Sequence, residues 1–157
     1  MVQRVALTEQ ASDLLRRLTQ EHGPLMFHQS GGCCDGSAPM CYLAGEFIVG
    51  DSDVLLGLLP SGVTTDVPFY ISRAQFQLWK HTHLTVDVVS GRGSGFSLEA
   101  PYGVRFMIRS RLFSDSETAV LAKTVPPGGF TDEIHDLPGE PRGSTAGPAT
   151  GSRTENP

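Results

Sequence analysis

The sequence predicts an α+β domain in which short strands outnumber helices. Three observations support this class: one amphipathic helical pattern near the start, several short apolar runs separated by glycine and aspartate, and later segments in which apolar and polar residues alternate. The chain has 157 residues, of which 39% are hydrophobic and 18% charged, with a mean hydropathy of −0.11. These values suit one compact globular domain.

The first predicted element is an amphipathic helix over residues 9–22, which begins after Thr8. Apolar residues recur along one helical face at Leu7, Ala11, Leu14, Leu15 and Leu18. Gly23 and Pro24 follow the pattern directly, and this pair is typical of a helix end.

Short strands are expected over much of the following chain. Residues 25–29 form an apolar run with an aromatic residue, which favours a strand. The next runs are expected to be consecutive strands of an antiparallel sheet over 41–43, 46–49 and 54–59. Residues 67–71 form a further extended segment, and Pro68 places it at a sheet edge or a strand start.

A second, short helix is predicted over residues 73–80. Ser72 and Gln75 have the spacing of a helix N-terminal cap. Alternating apolar residues predict two more strands, over 84–88 and 104–109. Between them, the glycine-rich residues 91–98 are expected to form a turn that enters another strand.

The chain is expected to divide into one globular domain and a polar tail. Residues 1–113 carry the periodic apolar patterns, and residues 114–137 carry weaker ones, so they are expected to form a weakly structured extension. Residues 138–157 are mostly Gly, Pro, Ser and Thr and contain no large apolar side chain. Burial cannot offset the entropy of ordering such a segment, so we expect disorder there.

Charge and hydropathy exclude several partner classes. With 17 acidic against 12 basic residues, the net charge of −5 gives no electrostatic attraction for nucleic acid or an anionic membrane. Apolar runs fall well short of the roughly 20 residues needed to cross a bilayer. The polar start has no signal-peptide pattern, so a cytoplasmic location is expected.

Three cysteines cluster in one glycine-rich stretch at Cys33, Cys34 and Cys41. An odd number of cysteines without an export signal predicts reduced thiols, and thiolates are preferred ligands for zinc, copper(I) and iron–sulfur centres. His28, which precedes the stretch, or Asp35 is a further candidate ligand. Adjacent cysteines seldom bind one metal together, so each chain would supply about two thiols. A homodimer that brings two such loops together would supply four ligands.

Two other functions remain open for the same residues. Cys33 or Cys34, with His28 and Asp35, could form a thiol that reacts with an aldehyde or oxidant, with Cys41 as the resolving thiol. Alternatively, the cysteines are structural and the chain is a non-catalytic interaction protein. The pattern leaves enzymatic activity undecided and favours a non-enzymatic role.

Two weaker candidate sites lie later in the chain. His81 and His83 alternate as on a strand, with Asp87 on the same side, and could ligate a metal. A solvated turn is the more common explanation of such a histidine pair. Three arginines could bind an anion but more often form an ordinary solvated face; they are Arg105, Arg109 and Arg111.

Several short motifs resemble a bacterial family associated with acetaldehyde dehydrogenases. The motifs are Ser30-Gly31-Gly32-Cys33-Cys34-Asp35-Gly36, Met40-Cys41-Tyr42, Gln75-Phe76 with Trp79-Lys80-His81-Thr82, and Gly95-Phe96-Ser97-Leu98-Glu99. The resemblance covers about residues 5–113. It implies an aldehyde dehydrogenase as the partner system.

A more distant resemblance is to the A-type iron–sulfur carriers with the HesB-like fold. It rests on three strings: Val5-Ala6-Leu7-Thr8, Ser30-Gly31-Gly32-Cys33 and Gly95-Phe96-Ser97-Leu98-Glu99-Ala100-Pro101. The resemblance implies a compact, β-rich sandwich. Those carriers use two further cysteines near the C-terminus, whereas this chain has none after Cys41. If a metal binds, Cys34 and Cys41 would take their place.

Together these observations predict a cytoplasmic accessory protein that serves an aldehyde or alcohol dehydrogenase system. It is expected to bind a metal ion or iron–sulfur cluster through a cysteine-rich loop. The expected ligands are Cys33, Cys34, Cys41 and His28.

Overall fold

A computed structural model describes residues 2–31, 36–63, 65–91 and 95–123. Within these ranges it contains seven strands in two sheets, three α-helices and one short 3-10 helix. The predicted α+β class is therefore confirmed. The expected disordered tail, residues 138–157, lies outside the described residues.

The elements follow one another from residue 5 to residue 121. The strands are β1 (Val5–Leu7), β2 (Leu25–Gln29), β3 (Met40–Leu43), β4 (Asp53–Leu59), β5 (Val67–Ser72), β6 (Thr82–Ser90) and β7 (Val104–Leu112). The α-helices are α1 (Glu9–His22), α2 (Arg73–Trp79) and α3 (Asp115–Leu121). In the described part of the chain, no helix has the length and apolar character needed to span a membrane.

Side-chain caps fix where the helices begin. The Thr8 hydroxyl accepts a hydrogen bond from the backbone N–H of Ala11 at the start of α1, and Ser72 caps α2 in the same way. Both caps were predicted. α3 begins with a reciprocal cap between Ser114 and Glu117, so the start of the predicted extension is helical.

The two sheets have the orders β1-β6-β7 and β3-β2-β5-β4. The second sheet is mixed, because β2 pairs parallel to β5 and antiparallel to β3. The prediction that residues 41–59 form consecutive strands of an antiparallel sheet is therefore wrong. β3 and β4 follow each other in sequence but lie at opposite edges of the sheet.

Aromatic side chains join the inner faces of the two sheets. The ring of Phe27 on β2 lies 5.6 Å from that of Phe69 on β5 and 4.9 Å, edge to face, from that of Phe106 on β7. All three side chains are fully buried. The core therefore lies between the sheets, and α1 contributes Leu15 and Leu18 to it.

Two expected strands are absent from the described residues, and one strand was not expected. Residues 46–49 form a turn region whose Ile48 is 89% exposed, so the apolar run there is not a buried strand. Residues 95–98 form turns that lead into the 3-10 helix Ala100–Tyr102. β1 has three residues, too few to produce a periodic pattern.

Candidate functional site

The cysteine-rich loop connects β2 to β3 within one sheet, and both of its ends are held by hydrogen bonds. At the first end, the Gln29 side-chain amide donates to the carbonyl of Gly31. At the second end, the N–H of Gly36 donates to the carbonyl of Ile108 at 2.7 Å, and the N–H of Ile108 donates to Ser37 at 2.8 Å. The predicted site residues Cys33 and Cys34, with Asp35, lie between these ends and outside the described residues.

Cys41, the third predicted thiol ligand, lies in the core. It pairs with Phe27 across β2 and β3, and none of its surface is exposed. Burial, reinforced by the charge of Glu99, raises the pKa of the Cys41 thiol far above its ordinary value. The thiol is therefore protonated at neutral pH, as expected of a structural cysteine rather than a nucleophile or metal ligand.

A buried carboxyl joins the strand of Cys41 to β7. The N–H of Cys41 donates to the Ser97 hydroxyl at 2.9 Å, and that hydroxyl donates to the Glu99 carboxyl. The other Glu99 oxygen accepts from the N–H of Phe106 at 3.3 Å. Burial raises the pKa of Glu99, although these hydrogen bonds oppose the rise. We call Ser97 and Glu99 the carboxyl clamp, because they tie a turn to both sheets.

His28 lies on the opposite face of the same sheet and is 3% exposed. Its Nε2 lies 2.7 Å from a carboxyl oxygen of Asp53, and its Nδ1 lies 2.6 Å from the hydroxyl oxygen of Ser30. The ring of Phe47 covers the imidazole at a centroid distance of 4.1 Å. We call Asp53, His28 and Ser30 the histidine relay.

The charge state of Asp53 decides how protons are arranged in the histidine relay. Burial opposes ionisation of Asp53, but hydrogen bonds from His28 and from the N–H of Gly50 outweigh it and lower the pKa of the carboxyl. An ionised carboxylate only accepts, so a neutral His28 carries its proton on Nε2. Nδ1 is then an acceptor, and the Ser30 hydroxyl donates to it.

The structure separates two of the four predicted ligands. His28 and Cys41 sit on adjacent strands, but Cys41 pairs with Phe27, the residue before His28, and successive strand residues point to opposite faces. One ion therefore cannot contact both side chains. Among the described residues, no three His, Cys, Asp or Glu side chains are grouped to hold a metal ion.

The weaker candidates have structural partners. Asp87 accepts hydrogen bonds from Thr8 at 2.9 Å and from Arg109 at 2.7 Å. Arg111 forms a pair with Glu117 at 2.8 Å. Two of the three predicted arginines are therefore neutralised by carboxylates on neighbouring elements.

His83 is a half-buried residue beside a positive charge. Burial lowers the pKa of His83, and the charge of Arg111 lowers it further. Its ring lies edge to face against that of Phe113 at 6.1 Å. These surroundings favour a neutral, packed imidazole.

Sequence reasoning missed the histidine relay and the carboxyl clamp. Ser30 lies two residues after His28, so a strand places both on one face, and that spacing was a usable signal. No local pattern pointed to Asp53, because it reaches His28 only through the pairing of β5 with both β2 and β4. No local pattern pointed to Glu99 either, because a glutamate is usually expected at the surface and this one is buried.

Comparison with known proteins places the chain in a family without assigning it a function. No curated protein matched the chain, and no solved structure did. The family model described as Domain of unknown function (DUF779) matches residues 14–112, which is more than half of the 157-residue chain and includes both the histidine relay and the carboxyl clamp. The chain belongs to the DUF779 family.

Proposed function

We propose that this chain is a cytoplasmic accessory protein that binds a metal ion or iron–sulfur centre through Cys33 and Cys34, and that it serves an aldehyde or alcohol dehydrogenase system. One observation carries the choice of residues: Cys41 is buried and protonated, which leaves two thiols on the loop between Gly31 and Gly36. Bound there, the metal would supply Lewis acidity or an electron-transfer centre.

The surroundings of the loop fit a metal shared between two chains. Because adjacent cysteines seldom bind one metal ion together, Cys33 and Cys34 of one chain do not complete a tetrahedral site, and the two His28 ring nitrogens already have partners in Ser30 and Asp53. A second copy of the loop would supply further thiolates. The buried Oε1 of Gln29, without a hydrogen-bond partner among the described residues, leaves an acceptor beside the loop for a ligand or a water.

Cobalt titration tests the proposed ligands. We would add Co²⁺ to the anaerobic, metal-free protein and follow the thiolate-to-cobalt charge-transfer absorption. We expect this band in the wild type and in Cys41→Ser, and expect its loss in the Cys33→Ser/Cys34→Ser variant. A band that survives the double substitution, or one that disappears in a folded Cys41→Ser variant, would contradict the proposal.

The dehydrogenase connection has a separate test. It rests on the resemblance of the cysteine and tryptophan motifs to a family associated with acetaldehyde dehydrogenases. We would purify an aldehyde dehydrogenase from the same source and measure its activity and metal content with and without the metal-loaded chain. We expect one of these quantities to rise with the wild type but not with Cys33→Ser/Cys34→Ser. No change with either protein would argue against this partner.

A thiol function without metal is the second candidate. The burial of Cys41 changes this hypothesis, because Cys41 can no longer be the accessible resolving thiol and the chemistry would fall to Cys33 and Cys34. Limited exposure to an aldehyde or peroxide should then modify one of these two thiols preferentially, as read by peptide mass spectrometry. Metal-free protein with equal, slow modification of both would favour the interaction-protein alternative.

A further inference from the structure

The histidine relay has the hydrogen-bond pattern of an activated nucleophile. A nucleophilic hydroxyl needs a base within about 2.6–3.2 Å, and the base needs a third group to orient it. Ser30 Oγ lies 2.6 Å from His28 Nδ1, and Asp53 lies 2.7 Å from Nε2. Both distances fall in that range.

Ser30 and His28 differ in exposure, as a nucleophile and its general base should: the nucleophile is accessible and the base is shielded from water. His28 is 3% exposed and lies under the ring of Phe47, so water has little access to the imidazole. Ser30 is exposed at the end of β2. A reagent can reach Ser30 while its base stays shielded.

The histidine relay also fixes the direction of proton transfer. The Asp53 carboxylate accepts from Nε2–H and, in a second bond at 3.1 Å, from the N–H of Gly50. Because these two bonds hold Asp53 in place, the imidazole presents the lone pair of Nδ1 to Ser30.

We propose that Ser30 is a nucleophile that accepts the acyl group of a small carboxylic ester, with His28 as its general base and Asp53 as the residue that positions His28. Ser30 Oγ forms a bond to the carbonyl carbon, and its proton moves to His28 Nδ1. The carbon–oxygen bond to the alkoxy group breaks, and the alcohol leaves with that proton. Water then attacks the carbonyl carbon of the acyl-serine and gives a proton to His28 Nδ1. The bond from that carbon to Ser30 Oγ breaks, Oγ takes the proton back from His28, and the carboxylic acid is released.

Labelling with a serine-directed fluorophosphonate tests the nucleophile. We would treat the full-length protein, locate the adduct by peptide mass spectrometry and compare Ser30→Ala with Ser90→Ala. Ser90 is a matched control, because it is also exposed and also lies at a strand end. We expect one adduct per chain at Ser30, its loss in Ser30→Ala and no change in Ser90→Ala. Absence of an adduct in the wild type, or an adduct at another serine, would overturn the proposal.

Two further variants test the base and its positioning. General-base catalysis is worth about 10²–10⁴-fold, so we expect His28→Gln to slow labelling and p-nitrophenyl acetate hydrolysis by a factor in that range. Asp53→Asn can still accept from Gly50, but its amide would donate to Nε2 and move the His28 proton to Nδ1. The hydrolysis rate should then fall while the unfolding midpoint in urea changes little. Folded variants that label as fast as the wild type would contradict the assigned roles.

The labelling experiment separates this proposal from the metal proposal. Ser30→Ala leaves the thiols intact, and Cys33→Ser/Cys34→Ser leaves the histidine relay intact. The result with Ser30→Ala therefore tests only the nucleophile, and the result with Cys33→Ser/Cys34→Ser tests only the metal site.

Discussion

Replacing Glu99 by alanine tests the account of the carboxyl clamp. The side chain is 1% exposed and accepts hydrogen bonds from the Ser97 hydroxyl and from the N–H of Phe106. Each donor left unsatisfied in the interior costs about 1–3 kcal/mol. Removing the buried charge recovers part of that cost. We therefore expect the free energy of unfolding to fall by about 2–4 kcal/mol.

Glu99→Gln is the matched control for this prediction. Its amide oxygen can still accept from the N–H of Phe106, so we expect a loss of less than about 1.5 kcal/mol. Urea unfolding followed by circular dichroism gives both values if the slope of the transition is unchanged. Equal losses in the two variants, or a loss below about 0.5 kcal/mol in Glu99→Ala, would refute this reasoning.

The raised pKa of Glu99 also predicts a pH dependence. The folded state binds the proton more tightly than the unfolded state does, so this group favours folding most at low pH. Its contribution is full below the unfolded pKa of about 4.3 and is lost as pH rises through the folded pKa. Glu99→Gln has no titrating carboxyl at this position and should lack this pH-dependent contribution. The difference in unfolding free energy between the variant and the wild type should therefore change with pH between the unfolded and the folded pKa of Glu99. A constant difference would show that the Glu99 carboxyl has the same pKa in both states.

Three other predictions concern packing, an ion pair and thiol access. A Cβ on Gly57 would lie 2.8 Å from Cγ1 of Val5, so Gly57→Ala should destabilise the fold by about 1–3 kcal/mol in urea unfolding, and Val5→Ala should relieve part of this loss; strict additivity would contradict the contact. The hydrogen bonds that Arg111 donates to the Glu117 carboxylate lower the pKa of Glu117 to about 2, so carbon-detected NMR titration should give that value in the wild type and a higher one in Arg111→Ala. Because the pKa of Glu117 is lower in the folded state than in the unfolded state, the ion pair stabilises the fold at pH values above the unfolded pKa, and this stabilisation is lost as pH falls through about 2. An unchanged Glu117 pKa in Arg111→Ala would show that Arg111 is not the cause. In the Cys33→Ser/Cys34→Ser variant, the Cys41 thiol should react with maleimide only at the rate of unfolding, and rapid labelling of this folded variant would contradict the burial of Cys41.

Local signals predicted α1 and α2 well, but α3 was not predicted. Thr8 and Ser72 each cap the helix that the sequence placed after them, because a cap is decided by residues within one turn. The strands with strict alternation were also found, at β6 and β7. The run at 46–49 misled because a short apolar segment has no diagnostic period, and the structure leaves Ile48 exposed there.

The candidate site depends on pairing that no local pattern encodes. The metal hypothesis grouped His28 with Cys41 because they are close to one loop in sequence, but neighbouring strands direct them to opposite faces. Conversely, Asp53 lies 25 positions from His28 and reaches it only because β5 pairs with both of their strands. Register between distant strands is therefore the information that the sequence alone did not supply.

The amount of metal per chain, measured by elemental analysis of untagged protein purified without oxygen, is the most direct test of the proposed function. We expect stoichiometric iron, zinc or copper in the wild type and in Cys41→Ser, and little or none in Cys33→Ser/Cys34→Ser. The element found would distinguish an iron–sulfur centre from a single metal ion. Metal-free wild-type protein, or an equal metal content in the double variant, would contradict the account.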